Sequence, residues 1–287
     1  MDLCNEKDIR ALLGRHGFRF SKSMGQNFLI EGWVPRDIAD ASGADEHCGV
    51  LEIGPGIGPL TVQLAQRAGR VAAVELDKSL LPILDETLAP YDNVTVIPGD
   101  AMKLDLAALA AEQFPGLTPL ACANLPYNIT TPVITALIEA GCFQAITVMI
   151  QREVALRICA APGSADYGAF SLFCQYYTTP ELLFQVPPEC FLPAPKVTSA
   201  VIRLVPRQTP PQDLVEEKLF FRVVKAAFAQ RRKTLLNTLS SSLGSSLDKD
   251  GLRQAIQEAG LSPDVRGERL GIAEFAALAA KIRDLEP

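Results

Sequence analysis

The sequence predicts an α/β fold, with a Rossmann-like domain over residues 1–205 and a small all-helical domain over residues 206–287. A strand, a glycine-rich turn and a helix follow one another at 50–65, which is how nucleotide-binding α/β domains begin. Further apolar, strand-like runs end in polar or acidic residues. Three prolines at 206–211 form a linker, and beyond them only helical periodicity remains.

The remaining elements follow from hydrophobic periodicity. Apolar runs predict strands at 50–53, 71–74, 94–97, 120–123, 145–150, 182–186 and 197–205. Helical spacing predicts helices at 6–18, 60–65, 131–140, 167–177, 215–229, 234–242, 250–259 and 272–283, with another beginning at 151–154. Residues 187–196 are rich in proline, and we expect a rigid loop there that carries Phe191.

Composition excludes several classes of protein. The chain has 287 residues, 48% of them hydrophobic, which is enough to bury a sizeable core. It contains no run of about 18 uncharged apolar residues, so we expect no membrane span. Seven scattered cysteines without a Cys-x-x-Cys pair, with only two histidines, argue against a metal site and fit a reducing compartment. We expect a cytoplasmic monomer that works without a metal.

The net charge of −6 is distributed unevenly. Residues 206–287 carry 13 basic and 11 acidic side chains, whereas the rest of the chain carries 14 basic and 22 acidic ones. Within the C-terminal part, residues 218–233 hold six basic residues and no acidic one. The chain therefore has a local basic patch on an otherwise acidic background.

Three predicted strand ends indicate a cofactor site. The glycine turn 54–58 follows the first strand, and Glu75 ends the second strand 21 residues beyond Gly54, where an acceptor for ribose hydroxyls is expected. Asp100 follows the third strand and can accept from an adenine amino group. Because ligands bind at the carboxyl ends of parallel strands, these residues predict a nucleoside cofactor rather than a plain βαβ scaffold.

The identity of the cofactor follows from charge. Pro59 stands where a dinucleotide fold has its third glycine, and a pyrophosphate needs amide donors and a helix dipole there. S-adenosylmethionine has no phosphate and carries a sulfonium cation, which suits acidic strand ends. We therefore predict S-adenosylmethionine. An NAD-dependent dehydrogenase is the alternative, weakened by Pro59 and by the lack of a plausible acid for hydride transfer.

A second site is predicted where the fourth strand ends, at Asn124-Leu125-Pro126-Tyr127. Pro126 stiffens the turn, and its effect on the preceding residue keeps the Leu125 carbonyl out of a helical ladder. The Asn124 amide, that carbonyl and the Tyr127 ring together suit a planar group that bears an NH2. The alternative is an Asx-type turn with a core tyrosine.

Seven segments, in order along both domains, resemble the ribosomal RNA adenine dimethyltransferase family and, within it, the KsgA/RsmA family of bacterial small-subunit enzymes. The segments that carry the resemblance are Gly25-Gln26-Asn27-Phe28-Leu29, Glu52-Ile53-Gly54-Pro55-Gly56-Ile57-Gly58, Glu75-Leu76-Asp77, Gly99-Asp100-Ala101, Asn124-Leu125-Pro126-Tyr127, Phe191-Leu192-Pro193-Ala194-Pro195-Lys196-Val197 and Phe228-Ala229-Gln230-Arg231-Arg232-Lys233. One such motif would be weak, but seven in order are highly specific.

The resemblance implies a class I methyltransferase fold that binds S-adenosylmethionine. In such a site Glu75 takes the ribose hydroxyls, Asp100 takes the adenine amine, and Asn124 bridges cofactor and target. The cofactor-binding residues it implies are Asn27, Leu29, Gly54, Gly56, Glu75, Asp100, Ala101 and Asn124.

The resemblance also implies the reaction and the partner. The expected reaction converts two adjacent adenosines near the 3′ end of 16S rRNA to the dimethylated form, with a role in biogenesis of the small ribosomal subunit. The catalytic set it implies is Asn124, Leu125, Pro126, Tyr127 and Phe191. We expect Tyr127 and Phe191 to stack on the target base; for Phe191 the alternative is a loop aromatic that plugs the core.

The basic patch is expected to contact the RNA backbone, because no acid interrupts it and the helix dipole favours cations at the C-terminal end of a helix. The predicted RNA-binding residues are Lys196, Arg222, Lys225, Arg231, Arg232 and Lys233. An ordinary solvated helix face is the alternative.

Two relatives of the fold offer other functions. Enzymes of the Erm type methylate large-subunit rRNA, but they usually have Asn-Ile-Pro-Tyr and lack the Arg-Arg-Lys helix. Proteins that resemble mitochondrial transcription factor B use the fold for binding, and the intact Asn-Leu-Pro-Tyr argues that catalysis is retained here.

Overall fold

The computed structural model describes residues 1–19, 26–209, 216–230, 232–244 and 247–285. The strands in this part of the chain are β1 (Phe28–Leu29), β2 (Cys48–Ile53), β3 (Arg70–Glu75), β4 (Val94–Pro98), β5 (Thr118–Asn124), β6 (Ile146–Gln151), β7 (Thr178–Val186), β8 (Phe191–Leu192) and β9 (Ser199–Pro206). The helices are α1 (Glu6–Arg15), α2 (Trp33–Ser42), α3 (Pro59–Ala65), α4 (Leu81–Thr87), α5 (Leu106–Gln113), α6 (Thr130–Glu139), α7 (Arg152–Ile158), α8 (Ala169–Tyr177), α9 (Glu217–Ala227), α10 (Leu235–Leu243), α11 (Lys249–Glu258) and α12 (Ile272–Leu285).

The sheet is seven-stranded, in the order β4-β3-β2-β5-β6-β9-β7. Strands β4, β3, β2, β5 and β6 are parallel, and β9 is antiparallel to β6. All six residues of β2 are buried, as expected for a strand covered on both faces. The connections turn to opposite sides between β2 and β5, so their carboxyl ends form a topological switch point where open α/β sheets bind ligands.

The turn after β2 depends on glycine. Gly54, Gly56 and Gly58 have φ angles of 71°, 63° and 94°, which residues other than glycine rarely adopt. Gly58 precedes α3, whose first residue is Pro59; proline is well suited to that position because its fixed φ is helical and its missing N–H has no helical partner. The predicted strand, glycine turn and helix are confirmed.

Contacts divide the chain into two compact units. One unit comprises Met1–Ala155 with Pro180–Pro206, and the other comprises Leu156–Thr179 with Arg207–Pro287. The sequence predicted one boundary, between 205 and 206. The structure differs because α8 shares a core with the C-terminal helices: the Tyr176 ring lies 5.5 Å from that of Phe220.

Several short elements were not predicted. Helices α2 and α4 both begin without a side-chain cap, so neither has a strong start signal. Strands β1 and β8 have two residues each, too few to show alternation. Strand β7 begins at Thr178, four residues before the predicted strand, and α9 ends at Ala227, two residues before the predicted helix end.

We expect Gly49→Ala in β2 to destabilise the protein. An added Cβ would overlap Cγ of the buried Phe114 ring, which must then move. Overpacking of this kind costs about 1–3 kcal/mol. Thermal and urea unfolding measure the effect.

Gly14→Ala in α1 is the matched control. No heavy atom of the described part of the chain lies within 4 Å of an added Cβ there, and alanine favours a helix over glycine by up to about 1 kcal/mol. This control should be neutral or stabilising. Equal stability of Gly49→Ala and the wild type would contradict the packing at Phe114.

Candidate active site

A pocket opens at the switch point, where β2, β3, β4 and β5 end. Its walls comprise the glycine turn, the acidic strand ends, residues 26–29 and the turn after β5. Among the described residues that line it are four carboxyls (Glu52, Glu75, Asp77 and Asp100) and no lysine or arginine. The pocket therefore suits a cation and not a phosphate.

Glu75, at the end of β3, is held by backbone amides. The amide of Asp77 donates to its Oε1 at 2.7 Å and the amide of Gly56 donates to its Oε2 at 3.3 Å. Burial raises the pKa of Glu75 above its usual value, and these amides oppose the rise. The structure thus places the predicted ribose acceptor in a fixed position beside the glycine turn.

Glu52 was not among the predicted site residues, although it lies in the same pocket. Its side chain is 1% exposed, and its Oε2 has no hydrogen-bond partner among the described residues. Burial raises the pKa of Glu52 to about 8, and the negative charge of Glu75 adds to this rise. The nearby Thr61 hydroxyl opposes the rise, although Thr61 forms no hydrogen bond of normal geometry with a described residue. The available signal was an acid inside an otherwise apolar strand, which is unusual without a partner.

The glycine turn leaves room for a ligand next to the backbone. A Cβ at Gly54 would meet no described residue within 4 Å, whereas one at Gly56 would lie 3.4 Å from the Phe28 ring. Open space at Gly54, together with the Oε2 of Glu52 that has no partner among the described residues, fits the α-ammonium group of the amino-acid end of S-adenosylmethionine. When bound, that cofactor supplies an electrophilic methyl group on sulfonium sulfur.

Asp100 lies at the start of a short 3₁₀ helix that includes Ala101. Its Oδ1 accepts from the amide of Met102 at 3.0 Å, and its Oδ2 lies 3.8 Å from Nζ of Lys103. Asp100 and Ala101 both line the pocket.

Asp77, also in the pocket, accepts at 2.6 Å from the Gln26 amide. Burial alone would raise the pKa of Asp77, but hydrogen bonds from Ser79 and Gln26 lower it overall.

The segment 26–29 forms another wall of the pocket, and Asn27 and Leu29 both line it. Leu29 lies opposite Phe191 in the antiparallel pair formed by β1 and β8. The expected loop position of Phe191 is therefore wrong: short-strand pairing fixes it, and its ring is 3% exposed in a hydrophobic core cluster. Phe191 still lines the pocket. Gly25 lies outside the described residues.

The turn after β5 has the predicted form. Asn124 is half-buried and lines the pocket, and no hydrogen bond joins its side chain to another described residue. The amide of Leu125 donates to the Met149 carbonyl at 3.1 Å, while no described backbone amide donates to the Leu125 carbonyl. The Thr130 hydroxyl and the Ile129 amide both donate to the Pro126 carbonyl at 3.2 Å, which fixes the turn.

The Tyr127 ring is half-buried, and its hydroxyl lies 2.7 Å from the Ser199 hydroxyl. Burial raises the pKa of Tyr127, and the hydrogen bond to Ser199 opposes the rise. The hydroxyl therefore stays protonated near neutral pH. Ser199 was not predicted as a site residue, because a serine at the start of a strand gives no distinctive sequence signal.

The described residues of the basic patch are exposed. Arg222 and Lys225 lie on α9, while Arg232 and Lys233 lie beyond it, before α10. A helix dipole acts only on residues in or beside the last turn of the helix, and α9 ends at Ala227. The expectation that this dipole favours the charges of Arg232 and Lys233 is therefore wrong. Lys196, in the other unit, is exposed. Arg231 lies outside the described residues.

Other kinds of site are not found in the described part of the chain. No group of three or more His, Cys, Asp or Glu side chains there could hold a metal ion. None of its helices has the length and apolarity that crossing a membrane requires. All seven cysteines are free thiols.

The mostly parallel sheet, with a glycine turn, acidic strand ends and an Asn-Leu-Pro-Tyr turn at its ligand-binding edge, has the class I S-adenosylmethionine-dependent methyltransferase fold. Within that class, the chain belongs to the family described as ribosomal RNA adenine dimethylase, whose model matches residues 17–282. The resemblance and the fold class predicted from the sequence are confirmed. Membership also removes the dehydrogenase alternative.

Individual relatives agree with the family. A protein of Geobacillus thermodenitrificans named "Ribosomal RNA small subunit methyltransferase A" is 47% identical, over 99% of this chain and 98% of its own length. The crystal structure of a dimethyladenosine transferase from Plasmodium falciparum is 23% identical, with a TM-score of 0.71 over 90% of this chain and 98% of that chain. The crystal structure of the 23S rRNA methyltransferase ErmE is 24% identical, with a TM-score of 0.66 over 89% of this chain and 99% of that chain. These two structures share the fold.

We expect Glu52→Gln to change how stability depends on pH. The carboxyl titrates near its ordinary value of 4.5 in the unfolded chain and near 8 in the folded protein. Between these values the folded protein retains a proton that the unfolded chain has lost, so stability falls as pH rises. Gln keeps the shape of the neutral carboxyl without titrating.

Thermal unfolding of both proteins from pH 4 to pH 9 checks this prediction. The variant should gain stability relative to the wild type as pH rises from 4.5 to 8, by about 1.4 kcal/mol for each unit of pKa shift, and the difference should then level off. Glu75 titrates in both proteins, so the difference reports Glu52. A difference that is constant with pH would contradict a buried neutral carboxyl.

Proposed function

We propose that the protein dimethylates the exocyclic amines of two adjacent adenosines near the 3′ end of 16S rRNA, with S-adenosylmethionine as methyl donor. The observation that carries this proposal is the pairing of two acceptors, the Asn124 amide and the Leu125 carbonyl, beside an acidic pocket. The small-subunit name of the 47%-identical relative supports the choice of rRNA.

The two acceptors address the main chemical difficulty. An adenine amine is a poor nucleophile because its lone pair is delocalised into the ring. In our proposal its two N–H groups donate to the Asn124 side-chain oxygen and to the Leu125 carbonyl. These bonds hold the amine in place and favour the pyramidal nitrogen that develops as the new N–C bond forms.

Proton transfer requires no strong base. After methylation the nitrogen is cationic, and it loses its proton readily to water. The main contribution of this chain is therefore positioning, which can supply several kcal/mol of the barrier reduction. Glu75 and Asp100 would hold the nucleoside part of the cofactor, and Glu52 and the turn at Gly54 would face its amino-acid part.

The target base must leave its stack to reach this pocket. Unstacking costs a few kcal/mol, and contact with aromatic side chains recovers part of that cost. We assign one contact to Tyr127, whose ring is half-buried at the pocket. Phe191 would form the opposite wall, where its nearly complete burial leaves little free ring surface.

RNA affinity is assigned to the exposed basic residues. Arg222, Lys225, Arg232 and Lys233 are exposed on one compact unit, and Lys196 is exposed on the other. Exposed cations release counterions from the phosphate backbone when RNA binds. We assign the protein to the cytoplasm as a monomer; seven free thiols fit a reducing compartment.

The large-subunit alternative shares the fold, because ErmE has a TM-score of 0.66 to this chain. The fold therefore does not distinguish the two substrates. Leu125 and the basic residues after α9 favour the small subunit. A purely binding role is disfavoured by the intact acceptor pair at Asn124 and Leu125.

Labelled S-adenosylmethionine tests the substrate directly. We expect label in unmethylated small subunits, recovered as dimethyladenosine, and none in protein-free large-subunit rRNA. Label only in the large-subunit RNA would move the protein to the Erm type. Binding to small subunits without any label would make it an assembly factor that lacks catalysis.

We expect Asn124→Ala to lower the methylation rate by about 10²–10³, since loss of one well-placed polar partner in an active site has an effect of that size. Single-turnover methylation of small subunits measures the rate. Thermal unfolding serves as control and should change little, because the Asn124 side chain bonds to no other described residue. Near-normal turnover would contradict the catalytic assignment.

We expect Arg232→Ala combined with Lys233→Ala to weaken binding to small subunits and to flatten its salt dependence. Each lost phosphate contact reduces the slope of log K against log salt by about 0.7–0.9. Lys7→Ala combined with Arg10→Ala removes the same charge from α1 and should leave the slope unchanged. An unchanged slope in the first variant would make that segment ordinary surface.

A further inference from the structure

The bond between Tyr127 and Ser199 joins two distant parts of the sequence. The hydroxyl oxygens are 2.7 Å apart, Ser199 is fully buried, and Tyr127 is half-buried. No other hydrogen bond of the Ser199 side chain is found among the described residues. By contrast, the Ser171 hydroxyl accepts from the Gly168 amide and donates to the Arg157 carbonyl, as expected of a structural serine.

The position of Ser199 in the sheet is rigid. It is the first residue of β9 and lies opposite Gln151, the last residue of β6. The neighbouring Thr198 carbonyl accepts from the Arg152 amide at 2.9 Å. In the sheet, β9 and β5 are the two neighbours of β6, so the Ser199 hydroxyl is held at a fixed place beyond the end of β5.

The Tyr127 ring has freedom that this bond removes. The turn fixes the backbone of Tyr127, but the orientation of its ring about χ1 and χ2 is not fixed by the turn, and the χ2 well of tyrosine is broad. A partly buried hydroxyl without a partner carries a desolvation cost. The hydrogen bond to Ser199 avoids that cost, so it favours the ring orientation in which the Tyr127 hydroxyl reaches Ser199.

The same bond connects the two walls of the target pocket. Residues 191–198, which comprise β8 and the loop to β9, carry Phe191 at one end and lead to Ser199 at the other. Tyr127 lies on the turn after β5, next to the acceptor pair. The hydrogen bond to Ser199 therefore fixes the position of the Tyr127 ring relative to the segment that carries Phe191.

We propose that Ser199 is a positioning residue: by holding the Tyr127 hydroxyl, it fixes the plane of the ring against which the target adenine stacks. This inference rests on the proposed function. Ser199 does not touch substrate, and its effect passes entirely through Tyr127. Removing either hydroxyl should therefore have the same consequence, and removing both should add nothing.

A double-mutant cycle tests this coupling. Ser199→Ala and Tyr127→Phe should each lower kcat for small-subunit methylation by roughly tenfold, because small misplacements of a reacting group have effects of this order or larger. The KM for the subunit should change little, since exposed basic residues dominate affinity. The double variant should be no slower than either single variant.

Two further variants separate positioning from general packing. Ser199→Thr retains a hydroxyl and should restore most of the rate. Thr147→Val removes another fully buried hydroxyl, on neighbouring β6, whose oxygen has no partner among the described residues; it should leave the rate unchanged. Fluorescence of 2-aminopurine at a target position should be quenched by stacking in the wild type and less so in Ser199→Ala.

The outcomes are distinguishable. Wild-type protein that methylates neither target adenosine would contradict the proposed function, whatever Ser199 does. An active wild type with a fully active Ser199→Ala variant would overturn the positioning role alone. Additive losses in the double variant, or a slow Ser199→Ala beside a normal Tyr127→Phe, would show that Ser199 acts by another route.

Discussion

Desolvation of acidic side chains is the constraint on which this site depends. Glu52 and Glu75 lie on adjacent parallel strands, both largely buried, in a pocket whose described lining includes no lysine or arginine. Amides hold Glu75, but Oε2 of Glu52 has no partner among the described residues. Such a pair costs free energy unless one member stays protonated or a cation binds. In our proposal the bound cofactor, with its ammonium and sulfonium groups, provides that cation.

Sheet topology explains why so few residues suffice to build the site. Four parallel strands end at one edge, and their order reverses between β2 and β5. The glycine turn, Glu75, Asp100 and Asn124 are far apart in sequence but meet at this edge because each ends a strand or lies within two residues of a strand end. Rigid turns then determine the details: Pro126 fixes the acceptor pair, and positive φ angles at the glycines open the backbone to the ligand.

Sequence patterns predicted what local rules determine. The strands, the glycine turn, Glu75 and Asp100 are each marked within a few neighbouring positions, and the structure places the predicted cofactor-binding residues in the lining of one pocket. The patterns failed where long-range packing decides. Phe191 pairs with Leu29 across 162 residues of sequence, α8 joins a core supplied by distant helices, and Ser199 gains its partner only through the order of β5, β6 and β9. Glu52 was overlooked although an acid inside an apolar strand is visible in the sequence; that its Oε2 has no partner among the described residues becomes visible only in the structure.

The acceptor pair also bears on dimethylation itself. In the proposed mechanism, an unmodified adenine amine has two N–H groups to donate to the Asn124 oxygen and the Leu125 carbonyl, whereas the monomethylated amine has one. During the second transfer the amine can therefore donate to only one of the two acceptors. The methyl group already present must occupy space beside the other acceptor. Since neither acceptor carries a proton, neither has to change its protonation state between the two transfers. A site built from an amide and a carbonyl, rather than from a titrating base, can repeat the reaction on the same nitrogen, and the surrounding carboxyls favour the cationic nitrogen formed each time.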